Sequence, residues 1–332
     1  MIRFDVEVIT GQDDVMKVSV LVMTYNHAGF IAQAMDSALM QETNFPYEII
    51  VSEDCSTDGT REIVQTYHRR FPEKIRLILS QQNVASNAVV VRGIEAAQGQ
   101  YVALLDGDDY WTSPYKLQKQ TDFLDSHPEC AICFHNVRVV HENGSREPWL
   151  WTPAHHPELT TLEDLWMGNY IATCSTMFRK GLCDRLPTWY DSFFPITDWP
   201  LHILNAEHGK IGYINDVMGV YRYHSRGYYS QLSQLDKLQE TLKFYRRMNA
   251  CLQFKYNGLV QTAIAKYFVE WAEEYLRRGD MNAARYCFKL SFTGRPVNKY
   301  ITLKRMIALC LRLYSPGTLF SRKLSAVRPH LR

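Results

Sequence analysis

The chain of 332 residues is 46% hydrophobic and 22% charged, an ordinary globular composition that excludes a disordered or fibrous protein. It has no apolar run of about 18 residues, which excludes a hydrophobic membrane-spanning helix. The net charge of +2 conceals a split: residues 281–332 carry 11 Lys/Arg and no Asp or Glu, whereas the preceding 280 hold 26 basic and 35 acidic residues.

Residues 18–25 (VSVLVMTY) form an apolar run of strand length. The pairs Phe30-Ile31, Ala34-Met35 and Ala38-Leu39 then recur at helical spacing. YEIIVS (47–52) reads as the next strand, and Asp58-Gly59 opens a helix containing Ile63, Val64 and Tyr67. KIRLILS (74–80) is a third strand, 86–98 a third helix closed by Gly99, and YVALLD (101–106) a fourth strand. This alternation predicts βαβ units and a mostly parallel sheet flanked by helices, whose ligands bind at the carboxyl ends of the strands. A helix is expected over 114–126, a strand at CAICFHNVRVV, and a Pro- and His-rich loop over 141–160. Residues 172–180 read as a strand, 198–209 as a short helix and 211–224 as extended chain. From about Gly227 the period becomes helical, with segments near 231–250, 258–278, 281–292 and 297–314.

Two domains follow from this pattern. Residues 1–226 form an α/β domain in two halves (about 17–130 and 131–226), and 227–332 a helical region ending in the basic tail.

The polar clusters fall at the expected strand ends. Asp106-Gly107-Asp108-Asp109 places three carboxylates on four residues. Such a turn is often only solvated, but at a ligand-binding edge it suits Mg²⁺ or Mn²⁺ gripping a diphosphate. In Glu53-Asp54-Cys55-Ser56-Thr57-Asp58, Ser56 or Asp58 can cap the following helix. Glu53 and Asp54 are not needed for capping and can accept hydrogen bonds from a ribose or a base. In Thr24-Tyr25-Asn26-His27, Tyr25 can stack on a base and Asn26 can hold the turn. Cys130 and Cys133 make a CxxC without a second pair or matching histidines, inside a buried strand, so a structural role outweighs a metal site.

The stretches SVLVMTYNHAGFIAQAMDSALMQ, YEIIVSEDCSTDGTREIV, NVASNAVVVRGIEAAQGQYVALLDGDDYW and LQKQTDFLDSHPE together resemble the family 2 glycosyltransferases, with their GT-A fold. The likeness is dense over about 17–130 and thinner through ITDWPLHIL and GVYRYHS to about 225. It implies transfer of a sugar from a nucleotide-sugar, commonly a UDP-sugar, to a glycan or lipid-linked acceptor in surface polysaccharide synthesis, with inversion. It implies that Tyr25 and Asp54 hold the base, that Asp106 lies near the ribose, and that Asp108 or Asp109 ligates the metal. Asp198 falls at the catalytic acidic residue and His224 at a late metal or diphosphate histidine. Thr24, Asn26, Glu53 and Gly107 complete the expected donor-binding set.

Asp198 can equally cap the helix that begins Trp199-Pro200. Glu53 stands where the family has Asp, and Val90-Val91 where it has an Arg-Asn pair, with Arg92 two positions after the expected Arg; this weakens a phosphate contact from that helix, for which Lys116 or Arg222 can substitute. A nucleotidyltransferase or a dehydrogenase would want a Gly-rich loop where TYNHAGF stands. The non-enzyme alternative is a nucleotide-sugar-binding scaffold subunit. The acidic start, MIRFDVEVITGQDD, does not read as a signal peptide, and the expected location is cytoplasmic; the basic 281–332 either packs on the catalytic domain with a solvated basic face or makes peripheral contact with an anionic membrane. No nucleic-acid motif accompanies the basic tail.

Overall fold

All seven residues of β1 (Val18–Thr24) and all seven of β2 (Tyr47–Glu53) are buried. Strands covered by helices on both faces need apolar residues throughout, and VSVLVMT and YEIIVSE meet that demand except where polar atoms find partners. Ser19 and Glu48 do so by hydrogen bonding each other at 2.7 Å. The computed structural model describes residues 16–153, 155–182, 186–225, 227, 232–294 and 297–315. The expectations for the acidic start and for the end of the basic tail lie outside the described residues.

The described residues fall into two compact units, one drawn from 1–162 and 170–231, the other from 163–169 and 232–332. In the first, one ten-stranded sheet runs in the order β3-β2-β1-β4-β9-β6-β10-β5, with β7 added to β6 and β8 to β10. The further strands are β3 (Ile75–Leu79), β4 (Tyr101–Asp106), β5 (Tyr110–Trp111), β6 (Cys130–His141), β7 (Trp149–Leu150), β8 (Leu159–Thr160), β9 (Met177–Arg179) and β10 (Lys210–Tyr223). The long ladders, β1 with β2 and β4, β2 with β3, and β10 with β6, are parallel, and the short ones are antiparallel. Helices α1 (Ile31–Leu39), α2 (Thr60–Arg70), α3 (Ala88–Ala96) and α4 (Lys116–Ser126) form the crossovers of the first half. Helix α1 buries Ile31, Ala34, Met35 and Ala38, the stripe that its sequence spacing predicts. After the one-turn α5 (Leu162–Trp166), α6 (Asp198–Ala206) precedes β10.

The second unit is helical: α7 (Gln234–Cys251), α8 (Asn257–Arg278), α9 (Met281–Ser291) and α10 (Leu303–Tyr314). Trp166 belongs to it and stacks near Tyr245, whose hydroxyl donates to the Trp166 carbonyl at 3.0 Å.

Sequence periodicity did not resolve β5, β7 or β8. Each is two residues long, too short to show an alternation. The strand expected over 172–180 is shorter, because Thr173–Ser175 form a 3-10 turn ahead of β9. Cys130 and Cys133 are both buried on β6. Their odd spacing sends the two thiols to opposite faces of the strand.

Lys116, considered above as a phosphate contact, is fully buried at the start of α4. Its Nζ lies 3.9 Å from the Trp111 ring centroid and has no hydrogen-bond partner among the described residues. Burial pushes its pKa down to about 7 from 10.5. The unfolded chain therefore binds the extra proton between those values, and the destabilisation is full below about pH 7 and vanishes above 10.5. Lys116→Met should raise stability by about 1–3 kcal/mol at neutral pH. The gain should shrink as pH rises, which thermal melts at two pH values would read. An equal melting temperature for variant and wild type at neutral pH would contradict this account of Lys116.

Candidate active site at the carboxyl edge of the sheet

β1, β2 and β4 end together: Thr24 pairs with Glu53, and Met23 with Asp106. β10 runs in the same direction, because the antiparallel steps β4–β9 and β9–β6 cancel and β10 is parallel to β6. Its end therefore reaches the same edge, which brings His224 to Asp108, 116 positions away in sequence.

The loops after β1 and β2 are stitched to each other. Asn26 has φ 55°, in the left-handed region that Asn tolerates better than most residues. Its Oδ1 accepts from the Thr57 amide at 2.8 Å, and its own amide donates to Ser56 Oγ at 2.9 Å. The His27 amide donates to Thr60 Oγ1 (2.8 Å) and the Ala28 amide to Asp58 Oδ2 (3.0 Å). Burial raises the Asp58 pKa, but hydrogen bonds from Thr60 and Ala28 outweigh it and hold the carboxyl below its ordinary value. Glu53 is fully buried and accepts from Arg61 Nε at 2.6 Å and from the Ser56 amide. Of the residues expected to meet a nucleotide, Asn26 and Glu53 therefore use their side chains to shape the loops. Thr24 is buried with its hydroxyl 3.2 Å from His27 Nδ1. Tyr25 is 40% exposed at the strand end.

Asp54 sits beneath the loop after β3. It accepts from Ser80 Oγ at 2.9 Å and more distantly, at 3.2–3.3 Å, from the amides of Val84 and Ala85. Arg92 lies 3.7 Å away and also donates to Ser52 Oγ at 2.9 Å and Ser80 Oγ at 2.5 Å. Burial lowers the Arg92 pKa. Arg92 is thus engaged by the floor of this subsite through Asp54 and the two serines.

The acid turn divides its three carboxylates. Asp108 Oδ2 lies 2.9 Å from His224 Nε2 and 3.7 Å from His27 Nε2. Burial raises the Asp108 pKa, but these two histidines prevail and hold it low. Asp106 faces the same space; burial first, then the charges of Asp108 and Asp198, push its pKa well up. Asp109, expected as a metal ligand, turns inward and is 1% exposed. It accepts from the Arg222 amide at 2.8 Å and lies beside the Cys174 thiol; burial and the neighbouring acids push its pKa well up. Asp108 lies within the turn closed by the Asp109 amide donating to the Asp106 carbonyl at 3.0 Å, and Asp109 leads out of it into β5, so their side chains take separate partners. Asp108, Asp109 and His224 therefore do not gather on one point. Among the described residues no three His, Cys, Asp or Glu side chains form a complete metal cage.

Arg222 holds the turn in place. Its Nη1 donates to the Asp108 carbonyl at 2.6 Å, its Nη2 donates to Gln33 Oε1, and its guanidinium lies 4.4 Å from the Tyr110 ring centroid. Gly107 is close-packed: a Cβ there would come 2.7 Å from Thr24 Oγ1 and 2.9 Å from His27 Nδ1.

Asp198 begins α6 and accepts from the Trp199 amide at 2.7 Å, while Thr173 Oγ1 donates to its other oxygen at 3.4 Å. Thr173 also hydrogen bonds Asp106, which links the acid turn to Asp198. The segment before Asp198 is held by Asn87, whose Nδ2 donates to the carbonyls of Tyr190 (3.1 Å) and Ile196 (3.2 Å). Tyr190 then donates to the Thr197 carbonyl at 2.8 Å. Sequence reading missed Asn87, Thr173 and Tyr190. Their roles rest on burial and on contacts between separate segments, neither of which is legible from spacing.

One carboxylate (Asp108) and one imidazole (His224) form a partial donor set that fits Mg²⁺ or Mn²⁺, with the remaining positions left to diphosphate oxygens and water.

A family model described as glycosyl transferase family 2 matches residues 19–186. An uncharacterised protein of Mycobacterium tuberculosis is 38% identical over 232 residues, 67% of this chain and 64% of that protein, so the chain spans under two thirds of that relative's length. The poly(ribitol-phosphate) beta-N-acetylglucosaminyltransferase TarS of Staphylococcus aureus is 29% identical over 170 residues, half of this chain and 28% of that one. The crystal structure of TarS residues 1–349 with UDP superposes with TM-score 0.53 at 19% identity, covering 82% of this chain and 90% of that one. A mannosyltransferase of Pyrobaculum calidifontis, solved with GDP-Man and Mn²⁺, gives TM-score 0.53 at 18% identity, covering 90% and 81%. The fold is thus GT-A, with the helical C-terminal region appended.

The close packing at Gly107 has a measurable consequence. Gly107→Ala should lower the unfolding free energy by about 1–3 kcal/mol, read as a lower urea midpoint at unchanged slope. An unchanged midpoint would mean that the turn has slack.

Proposed function

The chain belongs to glycosyl transferase family 2, and from that premise we propose that it is an inverting enzyme that transfers a sugar from a UDP-sugar to a hydroxyl of a glycan or lipid-linked acceptor. The observation that carries this reading is the meeting of Asp106, Asp108, His224 and Asp198 at one sheet edge, near the exposed ring of Tyr25. We assign this chemistry to residues 1–226 and read 227–332 as the accessory helical region. The likeness to TarS, named a poly(ribitol-phosphate) beta-N-acetylglucosaminyltransferase, supports a role in surface polysaccharide synthesis. The seven described cysteines are all unpaired, which supports the reducing cytoplasm as the compartment.

In this reading Tyr25 stacks on the base, and Asp54 accepts from a base N–H at the lip of its subsite. Asp106 meets the ribose. Asp108 and His224 would hold Mg²⁺ or Mn²⁺, which when bound neutralises charge on the diphosphate. Arg222 acts as a positioning residue, holding the Asp108 backbone and so the aim of its carboxylate. The acceptor hydroxyl oxygen forms the new bond to the anomeric carbon from the side opposite the diphosphate. The bond to the diphosphate oxygen breaks, and its electron pair leaves with the nucleoside diphosphate. Asp198 takes the hydroxyl proton as the bond forms, a contribution worth about 10²–10⁴ in rate. Thr173 orients Asp198 and keeps it near Asp106.

Asp198→Asn tests this assignment. Asn keeps an oxygen for the Trp199 amide, so the fold should survive. Turnover should fall at least about tenfold with donor affinity retained, because the lost interaction is made to the acceptor's proton. NMR of the product should show the anomeric configuration inverted relative to the donor. A fully active variant, or a retained configuration, would overturn the mechanism.

A further inference from the structure

Helix α10 carries two apolar faces where a helix packed on a core needs one. Met306, Leu309 and Leu313 are buried within the second unit. Leu303, Ile307, Leu311 and Tyr314 are instead 59, 51, 58 and 43% exposed. At 3.6 residues per turn these four, with exposed Cys310, fall within an arc of about 100°. The adjoining helix extends this surface: Phe292 and Tyr314 both pack on buried Phe288, and Phe292 is itself 58% exposed. Arg285 ties the two helices by donating to the Leu313 carbonyl at 2.9 Å.

The charge beside this face has one sign. Residues 281–332 contain 11 Lys/Arg and no Asp or Glu. Exposed Lys304 borders the apolar arc and exposed Lys289 lies one turn before Phe292 on the adjoining helix, whereas Arg312 is exposed on the far side of α10. Arg305 faces the other way and is held by Glu273 through two bonds of 2.9 and 2.7 Å, so it does not add to the outward charge. No helix among the described residues is long and apolar enough to cross a bilayer. A large apolar face bordered by cations is the composition of a helix that lies in a membrane interface, its apolar side at the acyl boundary and its cations among the headgroups.

We propose that α10, with Phe292 beside it, docks this unit on an anionic lipid surface, inserting Leu303, Ile307, Leu311 and Tyr314. The occupant is a bilayer because the surface pairs an exposed apolar arc with uncompensated positive charge. A second copy of this chain would present the same positive charge to itself.

The test uses the full chain and vesicles of phosphatidylcholine with phosphatidylglycerol, against phosphatidylcholine alone, at low and high salt. Two variants separate the contributions: Leu303→Ser/Ile307→Ser/Leu311→Ser, and Lys289→Glu/Lys304→Glu. All five positions are exposed, so both variants should melt as the wild type does. Wild type should co-sediment with the anionic vesicles at low salt and be released by high salt. Each variant should partition at least about tenfold more weakly. Donor turnover with a soluble acceptor should be unchanged in both. Wild type left in the supernatant at low salt, or variants that pellet as it does, would overturn the proposal. So would a wild-type dimer that the serine variant dissociates in the absence of vesicle binding.

Discussion

Like charge crowded at the end of β4 is the constraint on which the first unit depends. Asp106, Asp108 and Asp109 lie on one turn, and the charge of Asp198 reaches Asp106 from another part of the chain. Four carboxylates cannot all remain ionised in a partly buried space without a counter-charge. The protein handles the three of the turn separately. Asp108 stays ionised beside two histidines, Asp109 is buried against an amide and a thiol, and Asp106 is pushed towards its neutral form. That arrangement leaves one well-placed anionic ligand facing outward and a neighbourhood that a divalent cation would relieve.

Much of the surrounding structure serves to hold this turn. Gly107 lets the backbone press against Thr24 and His27, and Arg222 reaches back from β10 to the Asp108 carbonyl. The loops after β1 and β2 lock through Asn26, Ser56, Thr57 and Asp58 instead of being left to a ligand. Preorganisation of this kind matters for chemistry in which charge develops on a leaving group, because dipoles already in place need no reorganisation during the reaction.

The parallel half of the fold was legible because burial on both faces demands continuous apolar runs, and VSVLVMT, YEIIVSE and YVALLD supply them. The edge at which the acids cluster followed from strand direction alone. What remained hidden depends on contacts between distant segments. Spacing cannot show that Asp109 turns inward while Asp108 turns outward, because that depends on the two-residue β5 pairing with Gly219 and Val220. Nor does it show that Arg92 lies beside Asp54, that Lys116 is buried over Trp111, or that Arg305 belongs to Glu273 and not to the outward basic face. The apolar residues of α10 are plain in the sequence, but only the packed helix divides them into a buried set and an exposed one.

The central claim is that the acid turn is built to share a cation with a diphosphate. Calorimetric titration of UDP into the wild-type protein, with Mn²⁺ and then with excess chelator, tests it most directly. The account predicts clear binding with Mn²⁺ and a loss of at least about tenfold in affinity without it, since the carboxylates would then repel the diphosphate. Equal affinity in chelator would contradict the account and leave the three acids as a structural turn.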